Sequence, residues 1–172
     1  MRRRGHSVAG SPARMLPQPA GRAAAQPGEA LARGAAAVLE AAGFACLFEF
    51  PLGNGRRVDV IGIDERGRIA IVEVKSSVAD YRADAKWTEY LPFCDLFFFA
   101  VPEDFPLGLF AELDPWGEAI GIMVVDRHDG AVRRPARLTD LHPARRRALT
   151  LRFARTAARR LRPRGTLEAP WP

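Results

Sequence analysis

The chain has 172 residues and a formal net charge of +6, and its 48% apolar content belongs to a globular protein of one domain with tails. It contains no run of roughly 18 or more apolar residues, which excludes a hydrophobic membrane span. Its N-terminal stretch has no apolar core of the secretory kind, and Cys46 and Cys94 are too few for a disulfide framework or a zinc site.

Charge is unevenly placed. Residues 1–29 carry +4, residues 30–126 carry −8, residues 127–164 carry +11 and residues 165–172 carry −1. An acidic body followed by a basic segment points to a polyanion as partner. Of the 26 basic residues, only Lys75 and Lys86 are lysine. The arginine excess matches the codon bias of a GC-rich bacterial genome, which leaves the two lysines to be explained. Both cysteines lie beside aromatics and read as small buried hydrophobes, which suits a reducing cytoplasm.

Residues 1–28 read as a solvated tail and 163–172 as a second one, bracketing a domain at 29–162. Residues 29–42 read as a helix ended by Gly43. Cys46–Phe50 is a short strand, and Pro51–Gly55 is a turn cluster. Arg57–Ile63 and Arg68–Lys75 read as two strands of a hairpin about the Asp64–Gly67 turn. Ser77-Val-Ala-Asp80 has the form of a capping box and predicts a helix to about Tyr90, stopped by Pro92. Asp95–Val101 is nearly all apolar, as in a central strand covered on both faces. A loop over 102–115, strands at Ala119–Val125 and Ala131–Arg137, and a helix at Pro143–Leu161 follow. The pattern predicts an α/β domain with a mixed sheet and flanking helices.

The chemistry concentrates in the hairpin. Asp59, Glu73 and Lys75 interrupt strands that are otherwise apolar, and such residues are costly inside strands unless paired or bound to a cation. Alternation puts Glu73 and Lys75 on one face. A hairpin loop of about five residues would set Asp59 opposite Glu73. Two carboxylates can hold Mg²⁺ or Mn²⁺, and a lysine beside them can orient water or neutralise a phosphoryl group.

Asp59 followed by Glu73-Val-Lys75 resembles the core signature of the PD-(D/E)xK nuclease superfamily. More narrowly, LGNGRRVDVIGIDERGRIAIVEVKSSVADYRADAKWTEYLPFCDLFFFA resembles the MmcB-like DNA repair proteins of bacteria. That resemblance implies a restriction-endonuclease-like core, with catalytic roles for Asp59, Glu73 and Lys75 and a bound Mg²⁺ or Mn²⁺. It also implies a further metal-binding acid in the first helix, where Glu29 and Glu40 are the candidates. Val58 stands where proline is usual. Lys86-Trp-Thr-Glu-Tyr90 resembles the Q-x-x-x-Y motif of RecB-type nucleases with lysine in place of glutamine, which would put Lys86 near the metal site and on a phosphate, supported by Tyr90.

DNA is the expected partner. Arg56, Arg57, Arg82, Arg133, Arg134, Arg145, Arg146 and Arg147, with Arg152 and Arg155, are candidates to contact its phosphates without sequence preference. Trp87 reads as core, and Asp80 and Asp84 as exposed helix charge. The favoured function is a metal-dependent DNA repair endonuclease or nickase in the cytoplasm, at the nucleoid. Contacts with a second copy or other repair proteins are left open. Two alternatives remain: a catalytically inactive nuclease fold that binds DNA or a repair partner, and a small structural α/β protein.

Overall fold

A computed structural model describes residues 27–113, 116–117 and 119–161. The two expected tails fall almost wholly outside the described residues. The elements run α1 (Pro27–Ala41), β1 (Phe44–Pro51), β2 (Arg57–Asp64), β3 (Ile69–Val74), α2 (Val78–Ala83), a 3-10 helix (Trp87–Phe93), β4 (Leu96–Val101), a second 3-10 helix (Leu107–Glu112), β5 (Ile120–Val125), β6 (Gly130–Arg134) and α3 (Pro143–Leu161).

The six strands form one sheet in sequence order. β1, β2 and β3 make an antiparallel meander, β3–β4–β5 are parallel, and β6 returns antiparallel to β5. The expected mixed sheet flanked by helices is therefore present, in the order that a restriction-endonuclease-like core calls for at β1–β4. The tight hairpin is set by Asp64, whose Oδ1 accepts from the N–H groups of Arg66 and Arg68 at 3.0 and 2.8 Å. Gly67 closes the turn at φ +74°, in the left-handed region that glycine tolerates.

Each face of the sheet has its own core. On one side α1 packs Leu31, Ala35 and Leu39 on Val60, Val72, Phe98 and Met123. On the other lie Ile61, Ile71, Phe97, Phe99, Phe110, Ile122 and Leu149. The mid-sheet position expected of Asp95–Val101 holds: Phe99, Ala100 and Val101 have no exposed surface. Asp95 itself sits just before β4, buried. It accepts from Ile69 N at 2.8 Å, Leu141 N at 3.1 Å and both terminal nitrogens of Arg146 at 2.6 and 2.7 Å. Burial alone would raise the Asp95 pKa, but those donors outweigh it and hold the carboxyl below its usual range.

The helix expected over residues 77–90 is not continuous. Ser77 caps it as predicted, its Oγ accepting from Asp80 N at 3.1 Å, but α2 stops at Ala83. The chain resumes as the 3-10 helix, which runs through Pro92 to Phe93 instead of stopping before it. Asp84 makes the break. Its side chain accepts the N–H of Lys86 at 2.8 Å, a local bond that competes with helix continuation.

Candidate active site

β2 and β3 pair with Val60 opposite Val72 and Ile61 opposite Ile71, so the next step of the ladder brings Asp59 across from Glu73, as the hairpin reading expects. Asp59 Oδ2 accepts from Val74 N at 2.7 Å. Glu73 and Lys75 follow on the face that alternation assigns them. These three residues line a cavity of about 770 Å³ with the first turns of α1 (Gly28, Glu29, Ala32, Arg33), Phe48 and Glu49 of β1, and Asp80.

The lysine is nearly sealed in, at 3% exposure. Its Nζ donates to Asp84 Oδ2 at 2.6 Å and to Glu73 Oε1 at 3.4 Å. The other carboxylate oxygen of Glu73, Oε2, is buried with no hydrogen-bond partner. Burial, then the neighbouring Asp59 charge, pushes Glu73 up to about 8. Burial also raises Asp59, against the Val74 N–H that opposes the shift. Burial would lower Lys75, but the Asp84 hydrogen bond and the Glu73 charge outweigh it and keep the ammonium charged. Burial followed by the Glu73 charge pushes the Tyr90 phenol up to about 12.

Two facing carboxylates, one with an orphaned oxygen, form a hard-oxygen donor set that fits a divalent cation such as Mg²⁺ or Mn²⁺. Asp59 and Glu73 would hold it. Among the described residues, no three His, Cys, Asp or Glu side chains lie close enough to hold a metal on their own.

The remaining predicted residues divide. Glu29 reaches the lip of the cavity but is exposed and paired with Arg33. Glu40 lies eleven residues further along α1, about 16 Å at ~1.5 Å per residue, exposed and away from the cavity. It is therefore corrected as a metal ligand. Lys86 is exposed and precedes the 3-10 helix, so the one-turn relation to Tyr90 on a single α-helix does not exist. Tyr90 is buried and stacks on Phe97 with centroids 6.3 Å apart. Trp87 packs edge-on against Phe99, as core.

The arginines are more engaged than their sequence positions indicate. Arg56 makes a two-pronged bond to Glu89 at 2.8 and 2.9 Å, and Arg57 pairs with Glu49 at 2.8 Å, both at the surface. Arg146 grips buried Asp95 and also the Gly67 carbonyl at 2.9 Å, so its guanidinium is structural; the expectation of a phosphate contact there is corrected. Arg145 donates to Pro92 O at 2.6 Å and lies 5.0 Å over the Phe93 ring. Arg152 donates to Pro51 O, and Arg160 to the carbonyls of Phe48 and Glu49. Arg82, Arg133, Arg147 and Arg155 are exposed. Arg134 is half-buried with Nε on Ile120 O at 3.0 Å. Arg133 and Arg134 lie on β6, the sheet edge opposite β1, whereas Arg152 and Arg160 of α3 reach β1. The candidate phosphate-contacting arginines are thus divided between the two edges of the sheet.

Two residues of the site escape the sequence reading. Asp84 reads as exposed helix charge because a continuous helix would carry it away. The only signal against that reading is the Asp-x-Lys step, where aspartate can take the N–H two residues on. Glu49 has φ +48°, a left-handed conformation inside β1, and lines the cavity beside Asp59. Nothing in Phe48-Glu-Phe50 marks it.

A family model described as "DNA repair protein MmcB-like" matches residues 16–166. Among solved structures, the SPO1766 protein of unknown function from Silicibacter pomeroyi is 47% identical with a TM-score of 0.71, over 79% of this chain and 89% of that one. A repair endonuclease from Pyrococcus abyssi is 20% identical with a TM-score of 0.40, over 56% of this chain and 46% of that one, a likeness too distant to carry functional weight. No curated protein matches. No helix among the described residues is long and apolar enough to cross a membrane.

Proposed function

The chain belongs to the MmcB-like DNA repair protein family, and from that premise we propose that it is a divalent-metal-dependent endonuclease of the PD-(D/E)xK type that hydrolyses DNA phosphodiester bonds. One observation carries the reading: Asp59, Glu73 and Lys75 meet in one cavity, with an oxygen of Glu73 buried and unpartnered. Two buried carboxylates, one with an oxygen that no donor meets, cost stability unless a further cation compensates them.

A divalent cation bound to the two carboxylates supplies Lewis-acid activation and charge neutralisation at a phosphodiester. The protein's own groups do the rest. Asp59 is held by Val74 N–H, which fixes the direction of its carboxylate. Lys75 presents a positive charge where negative charge develops on the phosphoryl oxygens, and it orients the attacking water. Exposed arginines, Arg147 and Arg155 among them, draw the DNA backbone without reading its sequence.

The test is a cleavage panel with Mn²⁺ over duplex, nicked, branched and single-stranded DNA. At least one form is cut by the wild type and spared by Asp59→Ala. If folded protein leaves every form intact, the reading fails.

A second reading has its own support. Among the described residues no third acid is grouped with the pair closely enough to complete a metal site, which favours a nuclease fold that binds DNA or a repair partner without cutting it. Calorimetry separates the two. An endonuclease binds Mn²⁺ in a manner that Asp59→Ala and Glu73→Gln abolish, and a non-catalytic relative does not.

A further inference from the structure

Asp84 stands where the helix breaks, and its N–H and both carboxylate oxygens are engaged. Its N–H donates to Tyr81 O at 3.3 Å, its Oδ1 accepts from Lys86 N at 2.8 Å, and its Oδ2 accepts from Lys75 Nζ at 2.6 Å. The carboxylate is thus fixed by backbone on one side before it meets the lysine on the other. Its side chain is 16% exposed and that of Lys75 is 4% exposed, so water does little to screen the pair. Glu73, at 3.4 Å, is the weaker of the two acceptors.

An ammonium has three N–H donors. One goes to Asp84 and one to Glu73, while Lys75 lines the cavity that Asp59 and Glu73 share. A lysine stem is long and flexible, and only a second anchor keeps its tip at one spot. We propose that Asp84 is a positioning residue: it holds the Lys75 ammonium against the Asp59–Glu73 pair so that its third N–H faces a phosphate oxygen or water in the cavity. This rests on the hydrolytic reading of the site. The interruption between α2 and the 3-10 helix then has a purpose, because it turns the Asp84 carboxylate back to the end of β3.

The chain contains only two lysines, so nitrogen-15-labelled lysine yields an ammonium spectrum with one signal for each. In mildly acidic buffer the Lys75 signal exchanges slowly, and exposed Lys86 supplies the fast-exchanging reference. Asp84→Asn abolishes or shifts the Lys75 signal while the backbone amide spectrum remains that of the folded chain. Asp84→Glu, with the carboxylate on a longer stem, recovers a protected signal. A Lys75 signal unchanged in Asp84→Asn, or equally lost in both variants, overturns the proposal.

In Mn²⁺-dependent cleavage, Asp84→Asn lowers kcat by about tenfold or more with KM little changed, and Asp84→Glu restores part of the loss. A fall explained wholly by loss of folded protein reduces the pair to a structural ion pair and overturns the proposal. If the wild type cuts no DNA, the hydrolytic reading fails, and the ammonium spectrum alone then decides whether Asp84 holds Lys75.

Discussion

Glu73 carries a heavy electrostatic burden. Its carboxyl is buried beside Asp59 and is pushed from 4.5 to about 8. Below pH 4.5 it is protonated in folded and unfolded chains alike and imposes no penalty. Between 4.5 and 8 the unfolded chain releases its proton more readily, so the folded state loses relative stability as pH rises, and above 8 the loss is complete. Glu73→Gln removes that dependence. In metal-free buffer with chelator, the melting temperature of Glu73→Gln relative to wild type is expected to be higher at pH 9 than at pH 5. An equal difference at both pH values would mean that Glu73 ionises normally. At this scale Asp59, Glu73 and Lys75 were legible because charge inside an Ile/Val strand demands a reason. Asp84 and Glu49 were not, because their roles come from backbone conformations, a helix break and a left-handed strand residue, that neighbouring elements impose.

The β2–β3 hairpin was legible as an element: alternation, the Asp-x-x-Gly turn and the Ile/Val content agree, and a loop of about five residues is consistent with the observed register without forcing it. α3 was also read with its observed bounds, since its apolar positions recur at helical spacing. The segment after β3 misled, because the Ser77–Asp80 capping form and Pro92 suggest the start and stop of one helix, yet the local bond from Asp84 and packing on Phe97 and Phe99 win. α1 shows tertiary context reversing a propensity. Gly34 lies in mid-helix, where alanine ordinarily stabilises by about 1 kcal/mol. A Cβ there would overlap the Asp126 carbonyl oxygen and lie 3.0 Å from that of Asp129, both backbone atoms that cannot step aside. Overpacking therefore wins, and Gly34→Ala is expected to destabilise by about 1–3 kcal/mol in urea unfolding. A gain in stability would show that α1 sits further from the β5–β6 turn.

Over the whole molecule, charge is partitioned between structure and surface. The basic C-terminal segment was visible in the sequence, but the sequence does not tell which guanidiniums face inward. Arg146 holds buried Asp95, so Arg146→Ala leaves a buried charge unpaired and is expected to cost about 3–5 kcal/mol of stability. Neighbouring Arg147 is exposed, as are Arg155 and Arg159. Replacing these three by serine is expected to leave the unfolding midpoint nearly unchanged and to weaken DNA binding. The salt slope of log Kd should then fall by about one for each phosphate that the protein no longer neutralises. An unaltered slope would move the DNA path away from α3.

The same partition bears on the two lysines in an arginine-rich chain. Lys75 is a compact ammonium enclosed between Glu73 and Asp84, whereas a planar guanidinium is bulkier and sets its donors in a rigid fork. The rate of Mn²⁺-dependent DNA cleavage by wild type and Lys75→Arg, measured on folded protein, tests this most directly. Wild type is expected to cleave, and Lys75→Arg to be slower by on the order of a hundredfold or more although the charge is retained. Equal rates in the two proteins, or a wild type that cuts no DNA, would contradict a catalytic role for the Lys75 amine.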